Sequence, residues 1–167
     1  MQTANDVGVY ISSVVDKYSD MVYRTAYHAL CDRSCAEDIA QEVFLKLMRA
    51  LPDFESDEHE KAWLLKVTLN MCKTYNRKVY SHPTEELTEN ITKIERFGQG
   101  PVMEAVMELP EKYRTVVYLH YFEGYKIAEI SEMLGKNQNT VSSLLLRARK
   151  QLKTILEGGL DDESDRV

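Results

Sequence analysis

Cysteine, glycine, proline and tryptophan are all scarce in this chain: three, seven, four and one among 167 residues. So few glycines and prolines exclude a collagen-like or linker-dominated chain. Cys31, Cys35 and Cys72 are an odd set and export is not expected, so no disulfide framework is expected either. His28, Cys31 and Cys35 lie close in sequence, but a structural zinc site takes four ligands and no fourth is near. No metal and no cofactor is expected. No apolar run approaches the ~18 residues of a membrane span. The opening stretch lacks a basic head followed by an apolar segment. The expectation is a cytoplasmic protein with no membrane insertion. Also missing are a glycine-rich phosphate loop, a nucleophile–base–acid set and any two histidines at helical spacing. No catalytic residue is therefore expected, and the chain is not read as an enzyme.

What is present is charge, unevenly spread. The formal net charge is −6, from 21 basic and 27 acidic side chains. Residues 1–78 carry 10 basic and 12 acidic groups, and residues 79–108 carry 2 and 6. Residues 109–156 reverse the sign with 8 and 4, and residues 157–167 return to 1 and 5. Nucleic-acid binding follows the local field, so a basic block can bind DNA inside an acidic protein.

The apolar pattern is helical nearly throughout, with no alternation long enough for a sheet. Val7, Ile11, Val14, Val15, Tyr18, Val22, Ala26, Tyr27 and Leu30 follow a 3.6-residue period. Ser19 and Asp20 are candidates to break that run into two helices. Ser34 with Glu37 three residues on predicts a capping box. The helix it opens would bury Ile39, Ala40, Val43, Phe44 and Leu47 and end before Pro52. Asp53 to Glu60 reads as an acidic connection, followed by a helix over 60–78. Residues 79–100 read as a linker, too long and polar for the inside of one compact domain. Beyond it, Val102, Val106 and Leu109 form an apolar face. Pro110 suits the first turn of a helix reaching Phe122, with Val116, Val117, Leu119 and Tyr121 available for packing. A short helix over Lys126 to Leu134 ends at Gly135, a good left-handed cap. A tight corner then leads into a last helix over 139–156. A short helix, a glycine corner and a longer basic helix make a helix-turn-helix. Ala128 would allow close crossing there, with Ile130 and Val141 in the joint core. The tail, 157–167, is acidic, holds Gly158-Gly159 and is expected to be disordered.

Four stretches in order point to a family. They are Asp38-Ile39-Ala40-Gln41-Glu42-Val43-Phe44-Leu45-Lys46-Leu47, Lys61-Ala62-Trp63-Leu64-Leu65-Lys66-Val67-Thr68-Leu69-Asn70 and Leu109-Pro110-Glu111-Lys112-Tyr113-Arg114. The fourth is Ile127 to Gly135 with Thr140-Val141-Ser142-Ser143 and Arg147-Ala148-Arg149-Lys150-Gln151-Leu152. The chain resembles bacterial RNA polymerase sigma factors of the extracytoplasmic-function (ECF) group, in the sigma-70 family, over about residues 10–156. The resemblance implies an all-α chain. A region 2-like domain over 4–78 would be joined by a flexible acidic linker, 79–100, to a region 4-like four-helix domain over 101–156. It also implies a promoter-specificity subunit that binds core RNA polymerase and promoter DNA. An inhibitory anti-sigma protein is a further implied partner.

The resemblance assigns core polymerase to Asp38, Gln41, Glu42, Leu45 and Lys46. It assigns the −10 element to Lys61, Trp63, Lys66, Asn70, Lys73 and Arg77, and the −35 element to Gln138, Asn139, Thr140, Ser142, Ser143, Arg147 and Lys150. Physics supports these faces. Lys66, Asn70, Lys73 and Arg77 recur at intervals of four, three and four, so one cationic stripe is presented outward. Trp63 could stack on a base or belong to the core. One copy with two DNA-binding domains needs no two-fold partner, so a monomer is expected when free. The last helix departs from the family pattern. Asn139, Ser142, Leu144 and Leu146 stand where glycine, basic and polar residues are common. Leu144 and Leu146 could pack internally, touch thymine methyls or be covered by an inhibitor. The competing function is a stand-alone helix-turn-helix regulator, or an inactive sigma-like protein that does not dock on polymerase.

Overall fold

The computed structural model describes residues 3–81 and 100–164. Every element in them is helical: α1 (Ala4–Leu30), α2 (Arg33–Ala50), α3 (Asp57–Ser81), α4 (Pro101–Glu108), α5 (Glu111–Val117), a π-turn (Tyr118–Phe122), α6 (Ile127–Leu134) and α7 (Gln138–Ser164). The chain divides into two compact units, residues 1–92 and 93–167. The connector expected over 79–100 lies, apart from its ends, outside the described residues.

In the first unit α1, α2 and α3 pack on one another. Their shared core is Ile11, Val14, Tyr18 and Val22 of α1, Val43 and Leu47 of α2, and Leu64 and Val67 of α3. α1 starts with a capping box. Thr3 accepts from the Asp6 backbone N–H, and the Asp6 carboxylate accepts from the backbone N–H of Thr3. It then runs 27 residues without the break expected at Ser19 and Asp20. Those two lie on the exposed side, where Asp20 pairs with Arg24 one turn on at 2.9 Å, while Tyr18 and Val22 hold the buried side. The capping box expected at Ser34 is also displaced. Asp32 has the extended backbone of an N-cap, and its carboxylate accepts from the Cys35 backbone N–H at 2.9 Å. Glu37 instead meets Arg33 at 3.3 Å.

α3 begins at Asp57, before the expected start, because Ser56 accepts from the His59 backbone N–H at 3.1 Å and so caps the helix. Half of the expected acidic connection is therefore the first turn of α3. Asp57, Glu58 and Glu60 sit there against the positive end of the helix dipole.

In the second unit α7 packs against α4, α5 and α6. Pro110 is the N-cap of α5, and α5 passes into a π-turn in place of the expected single α-helix. The π-turn inserts one residue per turn. It leaves Tyr121 and Phe122 exposed, against the expectation that Tyr121 packs. Gly135 closes α6 with φ 64, in the left-handed region that glycine enters without penalty. The helix-turn-helix core is as expected at Ile130 and Val141, both fully buried, but Ala128 is exposed and takes no part in the crossing. Val102 is likewise exposed, whereas Val106 and Leu109 are buried. α7 runs past its expected end at 156 to Ser164, and residues 165–167 of the expected tail lie outside the described residues. Gly158 and Gly159 each weaken a helix by only ~1 kcal/mol relative to alanine, which does not force an end.

Candidate functional site

Three helices carry solvent faces that folding does not use. On α2, Ala36, Val43 and Leu47 are fully buried while Asp38, Gln41, Glu42, Leu45 and Lys46 all face solvent. The residues sequence reasoning missed here are Met48 and Leu51, 47% and 39% exposed. The signal was available, since Met48 follows Leu45 by three residues and shares its face. The result is an apolar ridge flanked by Asp38, Glu42 and Lys46, a surface costly to leave in water and suited to a protein partner.

On α3, Lys66, Asn70, Lys73 and Arg77 are all exposed, opposite the buried Leu64, Leu65, Thr68, Leu69 and Cys72. Lys61 is half-buried. Trp63 is half-buried too. It packs against the core of the first unit and meets Phe54 edge-on at 5.7 Å. Phe54 also meets His59 edge-on at 5.4 Å, and His59 Nδ1 accepts from the Glu55 backbone N–H at 3.2 Å. The loop before α3 is therefore held by edge-on ring contacts, by the Ser56 cap and by the His59 ring. It borders a concavity of about 590 Å³ whose wall includes Tyr10, Phe54, Glu55, Ser56 and Glu60. The Tyr10 hydroxyl donates to the buried Glu60 carboxylate at 2.5 Å, tying α1 to α3. Burial first, and then the Glu60 carboxylate, push the Tyr10 phenol above its ordinary value, so it remains a donor. Lys17 meets Asp57 at 3.0 Å on the same α1–α3 seam. At the other end of α3, Tyr75 and the Cys35 thiol are 2.8 Å apart. Cys35 and burial push the Tyr75 phenol up to about 12.

On α7, Val141, Leu144, Leu145 and Ala148 are buried, and Gln138, Asn139, Thr140, Ser142, Ser143, Arg147 and Lys150 are exposed. Asn137 starts this helix by accepting from the Thr140 backbone N–H at 2.7 Å. The corner is fixed by the Ser131 hydroxyl, which donates to the Lys136 carbonyl, and by the Lys136 N–H returning to the Ser131 carbonyl at 3.1 Å. These bonds tie the end of α6 to the corner that leads into α7.

The second unit also has an apolar groove of about 580 Å³, unforeseen from the sequence. Val102, Val106, Val117, Tyr121, Phe122, Leu152 and Leu156 line it, with Arg149, Lys153 and Glu157 at its edge. The Arg149 guanidinium lies 5.6 Å from the Tyr121 ring centre and donates to its hydroxyl. The π-turn creates this groove by turning Tyr121 and Phe122 outward. Among the described residues, no three His, Cys, Asp or Glu side chains are placed to hold a metal ion. No described helix is long and apolar enough to cross a membrane.

Two helical units, the first with a cationic stripe and the second with a helix-turn-helix, define a DNA-binding protein that also has surfaces for other proteins. The sigma-70 region 2 family model matches residues 14–80, and the sigma-70, region 4 model matches residues 99–152. The chain is 30% identical over 148 residues to RNA polymerase sigma factor SigV of Bacillus subtilis (strain 168), covering 86% of this chain and 88% of that one. It is 27% identical over 161 residues to the ECF RNA polymerase sigma factor SigW of the same organism, with 85% and 86% covered. Among solved structures it is similar to the sigma factor RpoE in complex with the anti-sigma factor NepR from Bartonella quintana. There the TM-score is 0.65 at 19% identity, with 87% of this chain and 96% of that chain covered. It is also similar to CnrH in complex with the cytosolic domain of CnrY, with TM-score 0.61, 22% identity, and 89% and 88% covered. The chain belongs to the ECF group of RNA polymerase sigma factors, in the sigma-70 family. It is a promoter-specificity subunit that binds core RNA polymerase, recognises promoter elements and directs transcription initiation.

Proposed function

We propose that the three solvent faces divide the work of this sigma subunit. The α2 face, with Asp38, Gln41, Glu42, Leu45 and Lys46, docks on core polymerase, and Met48 extends it. The α3 face, with Lys61, Trp63, Lys66, Asn70, Lys73 and Arg77, holds the −10 element. Its cations follow the phosphates of an unpaired strand, and Trp63 with the preceding loop borders the bases. The α7 face, with Gln138, Asn139, Thr140, Ser142, Ser143, Arg147 and Lys150, reads the −35 duplex from the major groove. Asparagine and glutamine suit adenine there, arginine suits guanine, and the hydroxyls suit bases or phosphates. The polymerase supplies the chemistry and this chain supplies position, so it has no catalytic residues of its own. It works as one copy, in the cytoplasm. In the similar structures the sigma factor RpoE is in complex with the anti-sigma factor NepR, and CnrH with the cytosolic domain of CnrY. An anti-sigma protein is accordingly a partner of this chain too, and the apolar groove of the second unit suits an amphipathic helix.

One observation carries this reading. The three residue sets are exposed, apart from the half-buried Lys61 and Trp63, while Ala36, Val43 and Leu47 of α2, Leu64, Leu65, Thr68, Leu69 and Cys72 of α3, and Val141, Leu144, Leu145 and Ala148 of α7 are buried. Those surfaces do not serve the fold. The test is transcription of a promoter library by purified core polymerase with and without this chain. Wild type is expected to give start-site-specific RNA. Asp38→Ala with Glu42→Ala is expected to abolish it while leaving helicity and thermal unfolding unchanged. A double mutant with full activity would remove α2 as the docking face. A stand-alone regulator would bind duplex DNA without polymerase and give no specific RNA.

A further inference from the structure

Leu146 stands apart from the other leucines of α7. Leu144 and Leu145 are 7% and 2% exposed and belong to the core, but Leu146 is 53% exposed. Asn139, Ser143, Leu146 and Lys150 follow one another at intervals of four, three and four, so they lie along a single line of the helix. Val141, Leu144, Leu145 and Ala148 occupy the opposite side. Leu146 is therefore at the centre of the outward face, with Ser142 and Arg147 beside it and all its neighbours on that face polar and exposed. It does not line the apolar groove of the second unit, whose α7 residues are Arg149, Leu152, Lys153, Leu156 and Glu157. A protein-docking patch would be expected to cluster apolar groups, and here one apolar group sits alone among amide, hydroxyl and cationic ones. That arrangement matches a DNA major groove. Its edges offer hydrogen-bond donors and acceptors between phosphates, and its one aliphatic group is the thymine 5-methyl.

We propose that Leu146 is a base-reading residue, packing its side chain on the 5-methyl group of a thymine in the −35 element. The inference rests on the reading of α7 as the helix that enters that groove. Arg147 and Lys150 beside it give the positive field that holds the phosphates. Leucine cannot hydrogen-bond, so its contribution is the exclusion of water from a methyl. Uracil, identical but for that methyl, removes the contact and nothing else.

The experiment uses wild-type holoenzyme and promoters it selects from a randomised library. Each −35 thymine is replaced in turn by deoxyuridine, and open-complex formation is measured. At one thymine the wild type is expected to weaken about fourfold, the transfer effect of one methyl. Leu146→Ala is expected to be weaker on the thymine promoter and indifferent to the replacement at that position. Leu146→Met, which keeps an apolar side chain, is expected to stay sensitive. Unchanged thermal unfolding of both variants separates this from misfolding. The same deoxyuridine profile in Leu146→Ala and wild type overturns the proposal, as does a wild type insensitive at every thymine. So does a Leu146→Ala that loses affinity for core polymerase without DNA while keeping the wild-type profile, since the leucine then belongs to a protein contact. Arg147→Ala and Lys150→Ala are tested beside it. If neither weakens −35 binding, the reading of α7 itself fails, separately from Leu146.

Discussion

Single residues in this protein are decided by what they touch, and Glu60 is an example. In sequence it is one more acid in an acidic run. In the fold it is 8% exposed and accepts a hydrogen bond from Tyr10, fifty residues away. Among the described residues no lysine or arginine forms an ion pair with it. A buried carboxylate needs its donor, so the pair is a structural tie between α1 and α3. Tyr10 has a folded-state pKa above its ordinary value of 10.0. A raised value means that the folded state holds the proton more tightly, so the stabilisation is complete below pH 10 and is lost as pH rises past it. Wild type is therefore expected to lose stability between pH 10 and higher pH faster than Tyr10→Phe does. Denaturant midpoints of the two proteins across that range check the difference, and parallel curves would dissociate Tyr10 from alkaline unfolding. Asp32 and Ser56 teach a related lesson. Either Asp32 or Ser34 could cap α2 by composition. The chain direction imposed by α1, which ends at Cys31 with φ 52, gives the role to Asp32.

At the scale of the helix, periodicity is a reliable guide to faces and a poor one to ends. The stripe 66, 70, 73, 77 on α3 was legible, because 3.6 residues per turn dictates which side chains share a side once the other side is apolar. The helix over 60–78 proved to be Asp57–Ser81, and the last helix extends well past 156. Ends depend on caps and on what the next segment does, which a period does not encode. The break expected in α1 failed for the same reason, since Ser19 and Asp20 cost little on a solvent face when the buried face continues. Function at this scale is electrostatic. Lys66 and Lys73 are exposed and aligned, so replacing both with alanine is expected to lower the salt dependence of single-strand −10 binding. The slope of log affinity against log salt should fall by about 0.7 per lysine. Titration of holoenzyme with a −10 strand at several salt concentrations measures it, and an unchanged slope would move the strand off this face.

For the whole molecule, the balance of charge is the controlling quantity. The sum of −6 opposes unaided binding to DNA, while residues 109–156 carry eight basic and four acidic groups. α7 carries its acidic end as a helical continuation, so residues 157–164 rise along the axis away from Arg147 at ~1.5 Å per residue. Their effect on DNA is therefore through the long-range field. Removing residues 158–167 deletes four acidic groups and one basic group, taking the net charge from −6 to −3. The truncated chain is expected to bind non-specific duplex several-fold more tightly at low salt, with the difference vanishing near physiological salt as screening shortens its reach. Fluorescence anisotropy at the two salt levels checks this, and equal affinities at low salt would show that the tail does not act on DNA.

Sequence alone determined the helical class, the helix-turn-helix and the outward stripe of α3. These follow from local rules: an apolar period, a glycine that can turn left-handed, and charges that must stay in water. Tertiary packing decided the rest. It buried Leu144 and left Leu146 in solvent, although the two are chemically identical and two residues apart, because only α7's contact with α4, α5 and α6 defines an inside. It turned Tyr121 and Phe122 outward through a π-turn and so opened a groove that no period announces. A one-dimensional pattern fixes a side chain's direction around its own helix. Which of those directions meets protein and which meets water depends on neighbours that are distant in the chain.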